Sequence, residues 1–443
     1  MIQGVNKNQN TKTRAQKELS RISMNLQENL PNLNESQARG LSEIVSAILH
    51  TGSCSRTKIV YYLADRLSSE IEAVRKRVAR WTRGITKEKK HEIDVSQSVT
   101  SLMAWIVSKW PSKQMALAID MTHLSDKWIV MVVTVLYGQF GIPVNWRVFR
   151  ASEKFCAREI WPSMLNALST VIPKDFEVLV LSDRGLWSPD LFREIQKLGW
   201  HPFMRVSGQG CFTPDNGSDS IHYLRDLAKN PGEHREMCGV AFASSQVRCT
   251  ALAAWEDGHK AAWIVLTDLP PDHKLIHFYR LRSWCEHTFK LLKRGGFEWH
   301  KTRMTDPKRA ERMWLAFSVA MFWSALAAVR SGRQMKPHPP TPPPSTEHWI
   351  PTEHNLRALV SLGVDIIRAS TCPLLDLLAE QLSPSRWHIG SGTFQKTKSN
   401  VPLGAPCPLS PLDFAYECVE QNSERRAKSR RRGGASARIS PSL

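Results

Sequence analysis

The run Trp128 to Tyr137 (WIVMVVTVLY) carries no charge, and most of its residues are β-branched. Such residues are stiff at χ1, which disfavours a helix and suits a pleated strand. The run does not alternate apolar with polar, so both of its faces must be shielded from water. It therefore reads as a strand inside a sheet covered on two sides. Further apolar runs surround it at Met115 to Ile119, Pro143 to Phe149 and Glu177 to Leu181, with helical spacing near Glu153 to Leu168 and Asp190 to Leu198. Strand, strand, strand, helix, strand, helix is the order of an α/β fold with a mixed sheet.

The chain on either side has a different texture. The residues ahead of Asn34 read as a polar lead-in. Asn34 with Gln37 has the spacing of a capping box, and Leu41, Ile44, Val45, Ile48 and Leu49 follow at helical spacing. A second helix is expected from Arg56 to Leu67. A third starts near Ser69, buries Ile71, Val74, Val78 and Trp81, and stops around Gly84. Its other face and exit hold Arg75, Lys76, Arg77, Arg80, Arg83, Lys87, Lys89 and Lys90, opposed locally only by Glu88. A basic third helix suits a helix-turn-helix-like DNA-binding unit, although a solvated charged face would give the same pattern.

Beyond the α/β block, Arg205 to about Pro271 is strand-like again (Val240 to Ala243, Val247 to Trp255, Lys260 to Thr267) and reads as a β-rich insertion. A helix begins near His277, a loop with Gly295 and Gly296 follows, and then comes an apolar helix, Met313 to Val329. Two serines and its modest length make that stretch a buried helix rather than a membrane span. Lys336 to Pro351 is a Pro-rich linker. It leads to a helix pair, Asn355 to Ala369 and Pro373 to Leu382, and to a basic tail, Arg425 to Arg438. The expected organisation is a helical DNA-binding domain over 1–100, a catalytic α/β domain over 101–330 with the insertion at about 206–272, a linker over 331–351, and a C-terminal helical region with tail over 352–443.

Among 443 residues, 60 Lys and Arg against 41 Asp and Glu leave a formal charge of +19. A surplus of that size points to a polyanion, with nucleic acid first among candidates. The N-terminal residues have no apolar core, so neither a secretory leader nor a membrane partner is expected. Nine cysteines without a CxxC pair suggest neither a disulfide framework nor a zinc ribbon. A cytoplasmic, nucleoid-associated protein is the expectation.

Three acidic residues stand out. Asp120 closes the run MALAID and Asp183 follows EVLVLS, each where a buried strand should end. In open α/β sheets that edge is where sites are built, although aspartate is also a common turn former. The helix near His277 places Tyr279, Arg282, Glu286 and Lys293 within an arc of about 60° at helical spacing. Leu281, Trp284, Cys285, Leu291 and Leu292 fall on the other half, free to pack on a sheet. Read alone, the polar face is also what ordinary i,i+4 ion pairs would produce. Three carboxylates from separate elements gain a reason to meet if they share a hard divalent cation. Two such ions can activate a nucleophile and stabilise the leaving oxygen of a phosphodiester.

The spacing Tyr279-x2-Arg282-x3-Glu286-x6-Lys293 matches the YREK signature of bacterial insertion-sequence transposases without a gap. Together with Asp120, the Asp183-Arg184-Gly185 string and Trp263-Ile264-Val265-Leu266-Thr267, it makes the chain from about Ala116 to Arg330 resemble the insertion sequence family four group of DDE transposases. The resemblance implies a ribonuclease H-like mixed-sheet core interrupted by a β-rich insertion. It implies Asp120, Asp183 and Glu286 as a catalytic triad binding Mg²⁺, with Mn²⁺ able to substitute. Tyr279, Arg282 and Lys293 would hold phosphates at the transposon end. Trp263 would stack on a flipped base during hairpin formation, and Arg205 and Arg184 would contact DNA, as Arg75, Arg77 and Arg80 of the basic helix would. The implied activity is cut-and-paste transposition in a homodimeric synaptic complex on inverted-repeat ends. Two rival classes remain: a non-enzymatic DNA-binding protein or inactivated transposase, and a strand transferase using Tyr279 covalently, whose expected Arg and His cluster is not evident.

Overall fold

The computed structural model describes residues 2–83, 92–110, 112–124, 126–137, 140–215, 222–256 and 258–330. The Pro-rich linker, the C-terminal helix pair, the basic tail and Lys87, Lys89 and Lys90 lie outside the described residues.

Helices α1 (Ile2–Asn29), α2 (Glu35–Thr51), α3 (Arg56–Arg66), α4 (Ile71–Arg83) and α5 (Val95–Ser108) lead into three long strands, β1 (Gln114–Leu124), β2 (Trp128–Tyr137) and β3 (Phe140–Arg150). Then come α6 (Ala157–Ser169), β4 (Glu177–Ser182), α7 (Pro189–Lys197) and β5 (His201–Arg205). Strands β6 (Cys211–Pro214), β7 (His222–Tyr223), β8 (His234–Ala241), β9 (Val247–Ala254) and β10 (Trp263–Thr267) precede α8 (Ser283–Lys290) and α9 (Pro307–Arg330).

Among the described residues, ten strands join one sheet in the order β3-β2-β1-β4-β5-β10-β9-β8-β6-β7. Strand β2 is antiparallel to both neighbours, whereas β1, β4 and β5 run parallel. The antiparallel strand β10 pairs with β5 and carries the sheet onward into the β-rich segment. The uncharged run of β2 is buried along nearly its whole length, as its composition requires. Helix α9 packs on the neighbouring edge strand β3, and its Trp314, Phe317, Phe322 and Trp323 are all buried. A helix apolar all round can exist in water only by being enclosed, and no helix among the described residues is long and apolar enough to cross a membrane.

Two helices depart from the sequence expectation. The stretch expected to be a polar lead-in forms α1, with Ala15, Leu19, Ile22 and Leu26 buried. These four keep i, i+4, i+7, i+11 spacing, a stripe only one residue wide that polar neighbours hide from a composition reading. Helix α5, rich in Val, Ser and Thr, has weak intrinsic propensity. It forms because Asp94 caps it, accepting from the Gln97 backbone N–H at 3.1 Å, and because Leu102, Met103 and Ile106 are buried.

The capping box of α2 is present: the Asn34 side chain accepts from Gln37 N–H at 3.0 Å and the Gln37 side chain accepts from Asn34 N–H at 2.9 Å. Helix α4 crosses α2 closely at Gly40, where a Cβ would overlap the Trp81 ring, while the Trp81 indole donates to the Gln37 carbonyl at 3.0 Å. On its basic face, Arg77 is committed to Glu43, which is 3% exposed, at 2.7 Å; Arg75 contacts Glu72, and Arg80 is exposed.

The helical region is tied to the segment after α8. Glu298 sits in the left-handed region at φ 49°. Its carboxylate accepts from the Ser53 hydroxyl at 2.6 Å, from Lys58 at 2.9 Å and from Lys301 at 2.5 Å. Lys301 and Ser53 contribute most to holding its pKa down, to about 2. A carboxylate depressed in this way stabilises the fold above its free value and loses that contribution as pH falls toward the folded value. Glu298→Gln is expected to cost about 1–2 kcal/mol at neutral pH, since the group is partly exposed. In thermal melts the gap between variant and wild type should close as pH drops from about 4.5 to about 2.

Candidate active site

The β1–β4 ladder sets the geometry. Its last parallel pair is Ile119 with Ser182, so the next residues along the two strands are Asp120 and Asp183. Both therefore leave the ladder side by side on the same face of the sheet. Asp183 ends its strand as expected. Asp120 does not, because β1 continues to Leu124 in register with β2, with Asp120 opposite Val132. The fork opens because β4 turns away into a short 3₁₀ turn, Arg184–Leu186, while β1 runs on. Asp183 stands at the N-cap position of that turn but its side chain does not cap it, which leaves the carboxylate facing the fork.

The third carboxylate arrives on a segment with three helical geometries. Tyr279 and Arg282 lie in a 3₁₀ stretch, Leu275–Arg282, Glu286 in α8, and Lys293 in a π turn, Leu291–Gly295. The uniform helix expected from the sequence is thus replaced, yet the polar face survives. Residues three apart eclipse in a 3₁₀ helix, which stacks Arg282 over Tyr279, and four apart in an α-helix brings Glu286 beneath Arg282. Thr288 anchors α8 to the sheet: its hydroxyl donates to the Gly141 carbonyl at 2.8 Å and accepts from Gly141 N–H at 2.7 Å. Gly141 is required there, since a Cβ would stand 2.9 Å from that of Thr134. Thr288→Val is expected to leave both buried Gly141 groups unpaired and cost about 2–3 kcal/mol in a denaturant titration.

Asp120, Asp183 and Glu286, far apart in sequence, meet on one guanidinium. Arg282 Nη2 lies 3.1 Å from Asp120 Oδ2 and 3.6 Å from Asp183 Oδ2, and Nη1 lies 2.5 Å from Glu286 Oε1. Arg282 and Asp120 are 12% and 13% exposed, against 40% and 49% for Asp183 and Glu286. The site is therefore a cleft with a dry floor and a wet rim. Arg205 Nη1 stands 3.7 Å from Asp183 Oδ1. The Tyr279 hydroxyl donates to the Ser182 carbonyl at 3.3 Å and reaches Asp183 Oδ1 at 3.4 Å. Trp263 packs on the Tyr279 ring, with centroids 5.5 Å apart.

Burial pushes the Asp120 carboxyl up to about 6 despite the opposing pull of Arg282 and of the Met121 N–H, with Asp183 and Glu286 adding to the rise. Burial works against the Arg282 charge, but Asp120, Tyr279 and Asp183 outweigh it and the guanidinium pKa rises. Burial also raises the Tyr279 phenol, which stays protonated, and lowers the Lys293 amine against the opposing effect of Asp120.

The donor set suits a hard cation, because three carboxylates from three elements converge and supply only oxygen. Among the described residues no group of His, Cys, Asp or Glu is spaced to hold an ion; the place between these carboxylates is filled by the Arg282 guanidinium. Arg184 is exposed beside Asp183, whereas Arg75, Arg77 and Arg80 belong to α4 and do not contact the triad. Sequence reasoning missed the Thr288 clamp; a threonine on the packing face of an otherwise polar helix was the available signal.

A family model described as the transposase DDE domain matches residues 157–323. It spans Asp183, Glu286 and the helical segment between the fork and α9, and begins after Asp120. The matched stretch is under half of the chain. No curated protein matches the sequence. Among solved structures, the chain is similar to the piggyBac transposase in a cryo-EM synaptic complex with hairpin DNA. The two are 12% identical, the likeness covers 82% of this chain and 78% of that one, and the TM-score is 0.38.

Proposed function

We propose that the protein is a DDE transposase of the YREK-bearing insertion-sequence group that cuts its element from DNA and joins it elsewhere. The observation that carries this reading is the meeting of Asp120, Asp183 and Glu286 around one cation, Arg282. The strand order β3-β2-β1-β4-β5 with β2 antiparallel supports a ribonuclease H-like core.

On this reading Asp120, Asp183 and Glu286 would hold Mg²⁺, with Mn²⁺ able to substitute. When bound, the metal supplies Lewis-acid activation of water and of the 3′-hydroxyl and stabilises the leaving oxygen. Arg282, Arg205 and Lys293 bind the phosphates flanking the scissile bond; Arg282 and Arg205 already stand beside carboxylates of the cleft. Tyr279 fixes the position of Asp183 through its hydroxyl and supports Trp263 with its ring, and Trp263 would stack on an extruded base at the hairpin step. The exposed arginines of α4, Arg75 and Arg80, would contact the duplex outside the cleft, in a homodimer that pairs the two ends.

A cleavage assay on the element's own flanking repeats tests this reading. Strand cuts with Mg²⁺ and none in chelator are expected, and cuts that persist in chelator would exclude metal-dependent hydrolysis. The covalent alternative makes an opposite prediction for Tyr279. This residue is 4% exposed and already hydrogen-bonded, poorly placed for in-line attack. Tyr279→Phe is expected to retain cleavage within about tenfold, the scale of one lost hydrogen bond. A denaturing gel should show no protein-linked DNA for either form.

A further inference from the structure

Next to the acidic cleft, on the side of the β-rich segment, lies a cavity of about 330 Å³ that the triad does not use. Its wall combines the cations Arg184, Arg205, Arg225 and Lys229 with the apolar surfaces of Trp255 and Ile264. The one carboxylate on the wall, Asp226, stands 3.9 Å from Lys229 and also accepts from Tyr223 N–H at 3.2 Å. Arg205 turns its guanidinium toward Asp183 at 3.7 Å, so the cavity and the cleft share a wall.

The cavity is held in shape. Arg225 N–H donates to the Gly208 carbonyl at 2.9 Å, and a Cβ on Gly208 would stand 2.9 Å from that of Arg225, so only glycine admits this approach. The Arg225 guanidinium lies over the Tyr223 ring, 4.7 Å from its centroid, and Tyr223 is 44% exposed. The Trp255 indole donates to the His259 carbonyl at 2.9 Å, which fixes the ring plane.

We propose that this cavity binds one unpaired nucleotide of single-stranded DNA, with the phosphate on the Arg184–Arg205 side and the base against Trp255. Cations that track a backbone and aromatic faces that receive bases are the two parts of a single-strand site. The cavity is concave and of nucleotide size. A duplex presents its phosphates on a convex surface with the base faces covered, so only an unpaired base reaches the Trp255 wall. The inference deepens the transposase reading by giving the cleft a neighbour that takes the strand made single at the cut. Its test does not depend on cleavage.

The full-length protein, in chelator, is titrated by fluorescence anisotropy with a labelled oligo-dT of about twelve nucleotides and with a duplex of the same length. Arg225→Ala combined with Lys229→Ala, both exposed, is expected to weaken oligo-dT binding about tenfold. Duplex affinity should change less than about twofold, and the salt slope on the single strand should fall by about 1.4. Trp255→Leu should weaken oligo-dT about fivefold, and Trp255→Phe should restore most of that loss. Equal losses on single strand and duplex, or unchanged oligo-dT affinity in the Arg225/Lys229 pair, would overturn the site. Asp120→Asn protein should bind oligo-dT as the wild type does, so failure of the triad reading leaves this result standing.

Discussion

Asp120→Asn should reduce strand cleavage by roughly a thousandfold or more while leaving affinity for end DNA within about twofold. Metal-assisted activation supplies several kcal/mol of transition-state stabilisation, and about 4 kcal/mol corresponds to three decades in rate. The amide keeps the shape of the side chain but loses the charge that a dication needs. Asp183→Asn and Glu286→Gln should behave alike if the three act as one unit, and the double variants should fall no further than the singles. Burial gives Asp120 a second signature. A carboxyl whose folded pKa is raised, here to about 6, penalises the fold once ionised, and the penalty grows as pH rises through that value. Asp120→Asn removes the penalty, so its melting temperature at about pH 8 should equal or exceed that of the wild type. Cleavage loss with an intact fold is the expected pairing. Cleavage retained by the amide would remove Asp120 from the chemistry, and a large fall in melting temperature would recast it as a structural ion-pair partner.

What made this site legible in the sequence was the coincidence of two periodicities. Short apolar runs located β1, β2 and β4 to within a few residues, because a strand buried on both faces tolerates little else. Those runs placed Asp183 at a strand exit. They placed Asp120 there too, although β1 passes through it: only pairing with β2 extends the strand to Leu124, and pairing is not a local property. The polar face of the last acidic segment was visible from spacing, but its division into 3₁₀, α and π turns was not. That division follows from what the segment packs on, such as Thr288 against Gly141. Helix α1 was missed because its buried stripe is too narrow to raise the average hydropathy of a polar stretch. Arg77 looked like a surface cation beside Arg80, and only the fold revealed buried Glu43 opposite it. In each case the sequence showed which residues want burial or charge, while the partner came from tertiary structure.

Arg282→Gln separates the two roles that one guanidinium now plays. With Arg282 gone, Asp120, Asp183 and Glu286 face one another with their central cation removed. Breaking a buried ion pair by deleting one partner costs about 3–5 kcal/mol. Here about 2–3 kcal/mol is expected near pH 8, because Asp183 and Glu286 are 40% and 49% exposed and solvent screens them. The loss should shrink on acidification. Arg282 holds the Asp120 pKa down, so removing it moves that carboxyl further up, and protonation then relieves the repulsion across a wider range below neutrality. Mg²⁺ supplies the decisive arm. If the three carboxylates are a cation site in waiting, millimolar Mg²⁺ should raise the melting temperature of Arg282→Gln by several degrees. The wild type, whose guanidinium already fills the place, should rise much less. Arg282→Lys should fall between the two, since an ammonium keeps one charge but cannot reach three carboxylates with a planar fork. A melting temperature of Arg282→Gln that does not respond to millimolar Mg²⁺ would mean that the acidic cluster is no cation site even with its arginine gone, and the metal-dependent reading would lose its binding site.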